Sequence, residues 1–238
     1  MTKPLFRENA YLREAEGTVI GLSETGGVIL DQTLFYAQGG GQPGDTGWLS
    51  WGDREVAVVN SVKGEGDRIE LVLEDGAPLP DTGQVVTQRL DWDRRFAHMR
   101  VHSGLHLLSV VIPLPVSGGA ITAAKGRLDF DMPEAPQNKE ALEAELNALI
   151  ARDLPITESW ITEAELDANP ALVKTMSVQP PRGSGRIRLI RIGEGEAQID
   201  LQPCGGTHVA RTGEIGRVTL GKVEKKGARN RRVNMLLA

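Results

Sequence analysis

The hydrophobic period of the chain changes from strand-like to helical near Asp91, and that change divides what it can fold into. Before residue 88 the apolar stretches are short, at residues 18–22, 28–30, 56–59 and 69–73, and Gly, Asp and Asn separate them. Gly26-Gly27 reads as a hairpin turn and residues 78–83 as a further turn cluster. No helical period interrupts these runs, so they fit a small barrel or sandwich. From Asp93 the pattern is helical: Phe96, Met99, Val101, Leu105, Leu108 and Val111 share a spacing that stops before Pro113. A second helix is expected over residues 139–152, with Asn138 as N-cap and Leu142, Leu146, Leu149 and Ile150 on one stripe. Thr162-Glu-Ala-Glu165 has capping-box spacing for a short third helix that ends near Asn169-Pro170. Strand signals return at residues 186–192, 197–201 and 217–220. A domain boundary is therefore expected near residue 88, with β structure before it and α+β structure after it.

Composition narrows the function classes. In 238 residues, 40% hydrophobic content suffices for a sizeable core without disulfides, and 4% aromatic content argues against a nucleic-acid surface built on many stacking rings. The longest apolar run, residues 105–116, is broken by His106, Ser109, Pro113 and Pro115 and is shorter than the roughly 20 residues of a membrane span. No apolar signal core opens the sequence, and the single Cys204 can form no internal disulfide. A cytoplasmic protein without a membrane partner is expected.

The net charge of −5 conceals an asymmetry. Residues 1–130 carry 12 basic and 17 acidic side chains, residues 131–170 carry 2 and 10, and residues 171–238 carry 13 and 5. Residues 222–232 concentrate six cations against one acid, and Lys225, Lys226 and Arg229 in that stretch are candidates for contact with a polyanion. Arg89, Arg94, Arg95 and Arg100 offer an alternative path, and a solvated basic strand end would look the same in sequence.

Three of the four histidines, His98, His102 and His106, recur every four residues on the 93–111 helix. Residues four apart on a helix lie roughly 5 to 6 Å apart at Cβ, so two imidazoles can reach one ion. The fourth histidine and the only cysteine repeat the spacing in Cys204-Gly-Gly-Thr-His208, where Gly205-Gly206 favours a tight turn over a helix. Together the pairs make a distributed Zn²⁺ site of His102, His106, Cys204 and His208. Ser103 stands where a zinc protease of the His-Glu-x-x-His type has its glutamate, which excludes that chemistry. Four protein ligands describe a closed structural site, whereas catalysis needs an open position, which a loose or displaced ligand, first of all the glycine-bordered His208, or an expanded coordination would provide. His98 reads either as an exposed or hydrogen-bonded helix residue one turn from the metal or as a contact behind the ligands or to a bound substrate.

The other unusual segment is Thr33-Leu-Phe-Tyr-Ala-Gln-Gly39-Gly-Gly-Gln42-Pro-Gly-Asp45-Thr-Gly47. It lacks the Lys-Ser/Thr ending of a P-loop, so glycine richness alone implies a turn and no phosphate. With Met99-Arg-Val-His102-Ser-Gly-Leu-His106-Leu-Leu and Asp200-Leu-Gln-Pro-Cys204-Gly-Gly-Thr-His208-Val, this order of motifs resembles the editing part of alanyl-tRNA synthetase. It is similar, over about residues 5–235, to the free-standing AlaX family of trans-editing proteins in the medium-length form that keeps the glycine motif. One departure stands at Ala123-Ala124, before Lys125-Gly126, where the synthetase domain tends to carry glutamine, so no catalytic glutamine is transferred.

The resemblance implies an α+β fold, with a small N-terminal β-barrel domain over residues 1–88 and, over residues 89–238, a zinc-binding editing domain in which a helix packs on an antiparallel sheet. It implies an aminoacyl-tRNA deacylase, acting as a monomer on mischarged tRNA(Ala) that carries serine or glycine. By the family pattern His102, His106, Cys204 and His208 bind zinc, Thr33 reads the serine hydroxyl, and Gly39, Gly40, Gly41 and Gln42 lie beside the acceptor end. Catalytic roles accordingly fall to Thr33, His102 and His106. The alternatives are editing of Ser-tRNA(Thr), a tRNA-binding module with a structural zinc and no turnover, and a hydrolase for a small ester.

Overall fold

A computed structural model describes residues 1–176 and 185–238, and the chain divides into two compact units, Met1–Ala97 and His98–Ala238. The first contains β1 (Lys3–Pro4), β2 (Glu14–Leu22), β3 (Val28–Leu30), β4 (Gln32–Thr33), β5 (Gly47–Trp51), β6 (Arg54–Lys63), β7 (Ile69–Leu73) and β8 (Val85–Leu90). Six of these close into an antiparallel barrel in the order β2-β3-β7-β6-β5-β8, which leaves no unpaired barrel edge. Alternation supplies the interior: Ile69, Leu71 and Leu73 of β7 are buried while Glu70 and Val72 between them are partly exposed. A register shift between Val58 and Asn60 of β6 then buries Ser61, whose hydroxyl donates to the Asp45 carbonyl at 3.0 Å. Strands β5 and β8 lie outside the expected runs; Trp48, Ser50, Thr87 and Gln88 interrupt their apolar pattern.

The helix α1 (Trp92–Val111) begins one residue before the expected start, and the division between the units falls inside it. The second unit continues with β9 (Val116–Ile121), β10 (Lys125–Asp131), α2 (Lys139–Ala151), β11 (Ile156–Thr162), α3 (Glu163–Ala168), β12 (Arg186–Ile192), β13 (Asp200–Pro203), β14 (Val218–Lys225) and β15 (Asn230–Leu237). The fold is α+β, with a four-stranded antiparallel sheet β14-β15-β10-β9 and a three-stranded sheet β11-β12-β13. Both caps form as expected: Asn138 accepts from the Ala141 amide at 2.9 Å, and Thr162 and Glu165 make a reciprocal box. The strand expected at 197–201 starts later, at Asp200, because a 3-10 turn occupies Gly195–Ala197.

Residues 98–111 of α1 lie on the four-stranded sheet at close range. A Cβ on Gly126 of β10 would meet Val101 Cγ1 at 2.6 Å and Leu105 Cδ1 at 2.9 Å, and one on Gly104 would meet Met235 Cε at 2.6 Å. One glycine on each surface therefore lets the helix approach, which sets the height of His102 between those contacts and of His106 next to them. Helix α2 is tied to β14 by Asn147, which accepts from the Val218 amide at 3.0 Å and donates to its carbonyl at 2.9 Å.

Candidate metal centre

His102 and His106 project from α1 one turn apart, and the loop after β13 brings Cys204 and His208 to them. Cys204 Sγ lies 3.4 Å from His102 Nε2 and 3.3 Å from His208 Nε2, and the donor atoms of all four residues lie within 4.8 Å of one another. Zinc bonds of about 2.0 to 2.3 Å in a tetrahedron place neighbouring donors roughly 3.3 to 3.8 Å apart, so three imidazoles and a thiolate at these separations fit such an ion. His98, though spaced to join them, is fully buried and stands outside the group; it is not an exposed helix residue.

Two of the rings are turned by a partner on the other nitrogen. His106 Nδ1 donates to Asp200 Oδ2 at 2.9 Å, and Gln202 Nε2 donates to the same oxygen at 2.8 Å, leaving His106 Nε2 for a metal. His208 Nδ1 lies 3.3 Å from Ser103 Oγ, which also accepts from the Val209 amide at 3.2 Å. The glycine turn is held rather than loose: Arg188 Nη1 donates to the carbonyls of Cys204 at 3.2 Å and Gly206 at 2.8 Å, and its Nε pairs with Glu158.

The metal-free centre is polarised by these contacts. Burial disfavours the Cys204 thiolate, but the His102 and His208 rings beside it hold the thiol well below its usual range. Burial likewise opposes the His106 cation, yet hydrogen bonds to Asp200 and Cys204 raise it to about 9. Burial lowers His208 to about 3, and Asp200, despite burial, is held at about 2 by its bond to His106. A thiolate and a carboxylate gathered around imidazoles are the environment that a divalent cation completes.

The glycine motif belongs to the first unit. Gly39 and Gln42 exchange amide and carbonyl hydrogen bonds at 3.1 and 3.0 Å across Gly40 and Gly41, whose φ values are 58° and 84°. Two left-handed residues in a two-residue connection make a hairpin turn that only residues such as glycine adopt cheaply. Gln42 is buried. Beyond it Asp45 receives Arg95 Nε at 2.9 Å and the Tyr36 amide at 2.6 Å. Arg95 is fully buried in this pair, which removes it from any surface path for a polyanion. Thr33 is 1% exposed; its hydroxyl donates to Gln88 Oε1 at 2.6 Å and accepts from the Phe35 amide at 3.2 Å.

The basic C-terminal stretch carries less free charge than its sequence suggests. Arg229 pairs with Asp131 at 3.1 Å, Arg232 with Asp129 at 2.8 Å and Lys226 with Glu224 at 2.6 Å. Arg231 is turned inward onto the carbonyls of Gly227 and Pro133. Lys222 and Lys225 are exposed and make no ion pair among the described residues. Sequence reasoning did not assign roles to Asp200, Gln202, Lys174, Ser103, Arg188 or Gln88; Asp200, Gln202 and Ser103 stand inside a motif where a signal was present.

The family model for the second additional domain of threonyl and alanyl tRNA synthetases matches residues 187–234, the stretch that contains Cys204 and His208. A model for class II (A) tRNA synthetases matches residues 10–94. The alanyl-tRNA editing protein AlaX-M of Methanosarcina acetivorans is 32% identical, covering 100% of this chain and 99% of that protein, and AlaX-M of Saccharolobus solfataricus is 34% identical, covering 98% of each. The chain belongs to this AlaX-M family. The alanine–tRNA ligase of Pyrobaculum aerophilum is 35% identical over 94% of this chain, which spans 25% of the ligase's length. Among the described residues no helix is long and apolar enough to cross a membrane.

Proposed function

We propose that the protein is an aminoacyl-tRNA deacylase that hydrolyses Ser-tRNA(Ala), with Gly-tRNA(Ala) as a second substrate. The observation that carries this reading is the convergence of His102, His106, Cys204 and His208 in a chain that matches alanyl-tRNA editing proteins from end to end. The overall reaction adds water to the aminoacyl carbonyl and releases the amino acid and the ribose hydroxyl. An ester needs less activation than an amide, so orientation beside a preorganised polar centre can supply much of the rate. Zinc held by His102, His106, Cys204 and His208 would supply a Lewis acid at that centre provided one coordination position is open to the substrate. Asp200 keeps the proton on His106 Nδ1, and Ser103 faces His208 Nδ1, so both rings present Nε2 inward.

Specificity is assigned to Thr33, whose hydroxyl retains one acceptor site after its bonds to Gln88 and Phe35. A site that bonds a substrate hydroxyl rejects the analogue lacking it by factors that reach ~10⁴ to 10⁵. The turn from Gly39 to Gln42 offers backbone to the acceptor end, and Lys225, Lys226 and Arg229 engage phosphates of the tRNA. The protein acts as a cytoplasmic monomer, where mischarged tRNA is found.

One observation favours a second reading: four protein donors fill a tetrahedron, as in a structural zinc site of a tRNA-binding module. Release of serine from Ser-tRNA(Ala), compared with hydrolysis of serine methyl ester, separates the readings. Turnover of the tRNA ester above that of the small ester supports the deacylase. Binding of tRNA without serine release supports the module and overturns it.

A further inference from the structure

Asp200 has no exposed side-chain surface, and both of its oxygens are engaged. Oδ2 receives His106 and Gln202, and Oδ1 receives Lys174 Nζ at 2.6 Å. Lys174 is held where it stands by its own backbone: its carbonyl accepts from the Val116 amide at 3.0 Å, and Met176 donates to the Val116 carbonyl at 2.8 Å. The short run around Thr175 thus adds alongside the start of β9. The lysine stem lines a cavity of about 770 Å³ together with Ser109 and Ile199, and its side chain is 30% exposed.

We infer that Lys174 is a positioning residue for the metal centre, acting through Asp200 on the ring of His106. The inference rests on the reading of the four residues as a metal site. A buried carboxylate that bridges a lysine and a histidine is pinned at both ends. Without the ammonium, Oδ1 is left with no partner among the described residues, and the carboxylate is drawn toward other donors or water entering from the cavity. Rotation of the carboxylate breaks its hydrogen bond with His106 Nδ1–H and frees the ring from the orientation that points Nε2 inward. Groups that orient metal ligands in this manner typically change metal affinity by 10- to 100-fold when removed.

The test compares full-length wild type, Lys174→Met and Lys174→Arg. Zinc transfer to a coloured chelator is measured, and so is the visible spectrum after cobalt is loaded in place of zinc. Lys174→Met is expected to give up zinc about 10- to 100-fold more readily and to shift the cobalt bands, while Lys174→Arg returns both toward wild type. An isostere, Asp200→Asn, provides the second arm: in that background Lys174→Met should change zinc retention no further, whatever it does to the wild-type fold. Wild-type zinc retention and an unshifted cobalt spectrum in Lys174→Met would overturn the role of Lys174 and leave the metal centre standing. A wild type that takes up neither metal would instead overturn the centre itself.

Discussion

Asp200 lies 2.9 Å from Nδ1 of His106, a residue 94 positions earlier in the chain, and this contact decides which nitrogen of the ring faces Cys204 and His208. The donor set is therefore organised from behind as well as by its own spacing. Removing a donor should act more strongly than removing an orienting partner. Protein prepared without chelator is expected to hold about one zinc per chain by elemental analysis, and Cys204→Ala or His106→Ala should shed most of it. Wild-type protein that stays metal-free after exposure to zinc would sink the site.

Proton linkage gives the metal-free protein a pH profile of its own. His208 falls from 6.5 to about 3 on folding and Cys204 also falls, so between those values the unfolded chain binds more protons. Stability from His208 is lost as pH decreases from 6.5 toward 3, and stability from Cys204 starts to be lost as pH decreases below its unfolded value of 9.0, each by up to about 1.4 kcal/mol per pH unit per proton. His106, raised to about 9, acts in the opposite sense: its contribution is complete below 6.5 and is lost as pH rises through 9. Between 6.5 and 9 the Cys204 gain offsets the His106 loss. Calorimetric melting of chelator-treated protein should show Tm rising up to about pH 6.5 and then levelling, with the rise reduced in His208→Gln.

The close helix-to-sheet contact makes Gly126 a structural test of the centre. In Gly126→Ala the new Cβ meets Val101 and Leu105, which lie on either side of His102 along the helix. Overpacking of this kind costs about 1 to 3 kcal/mol, and the helix must shift or its side chains repack. A lower Tm together with weaker zinc retention is expected. Unchanged zinc retention in a destabilised Gly126→Ala would show that the helix height does not control the donors.

Thr33 needs two variants because its hydroxyl already serves the fold. Thr33→Val leaves Gln88 and the Phe35 amide short of a partner, at a cost of about 1 to 3 kcal/mol, so a drop in activity alone says little. The informative quantity is the ratio of kcat/KM for Ser-tRNA(Ala) to that for Gly-tRNA(Ala), which is independent of the folded fraction. That ratio should fall in Thr33→Val and stay near wild type in Thr33→Ser. An unchanged ratio would remove Thr33 from serine recognition.

Charge at the C-terminal end can be apportioned residue by residue. Lys225 is exposed and makes no ion pair among the described residues, whereas Lys226 and Arg229 are each paired to an acid. Lys225→Ala should accordingly account for most of the drop in tRNA affinity shown by the triple alanine variant at all three positions. The log-log salt slope should fall by ~0.7 to 0.9 for each phosphate that the variant no longer neutralises. Hydrolysis of serine methyl ester should not change. Filter binding at several salt concentrations that shows no change in the triple variant would direct the tRNA elsewhere.

The local elements were legible because their causes are local. Asn138 and the Thr162/Glu165 box marked two helix starts, Pro113 limited α1, and the apolar period of β7 and β12 announced strands. The four candidate ligands were legible for a different reason: one cysteine and four histidines leave few ways to assemble a centre, and two pairs shared a helical-turn spacing. What the sequence alone determined, then, were caps, periods and scarce donor types. Tertiary structure decided the rest, because a side chain's partner is chosen by what packing brings near it. Thr33 meets Gln88 across 55 positions, Asp129 and Asp131 of β10 neutralise arginines about 100 residues later, and Lys174 and His106 meet only at Asp200. In each case the electrostatic or hydrogen-bond gain exists only once strands or a helix have paid the entropy of bringing distant groups together.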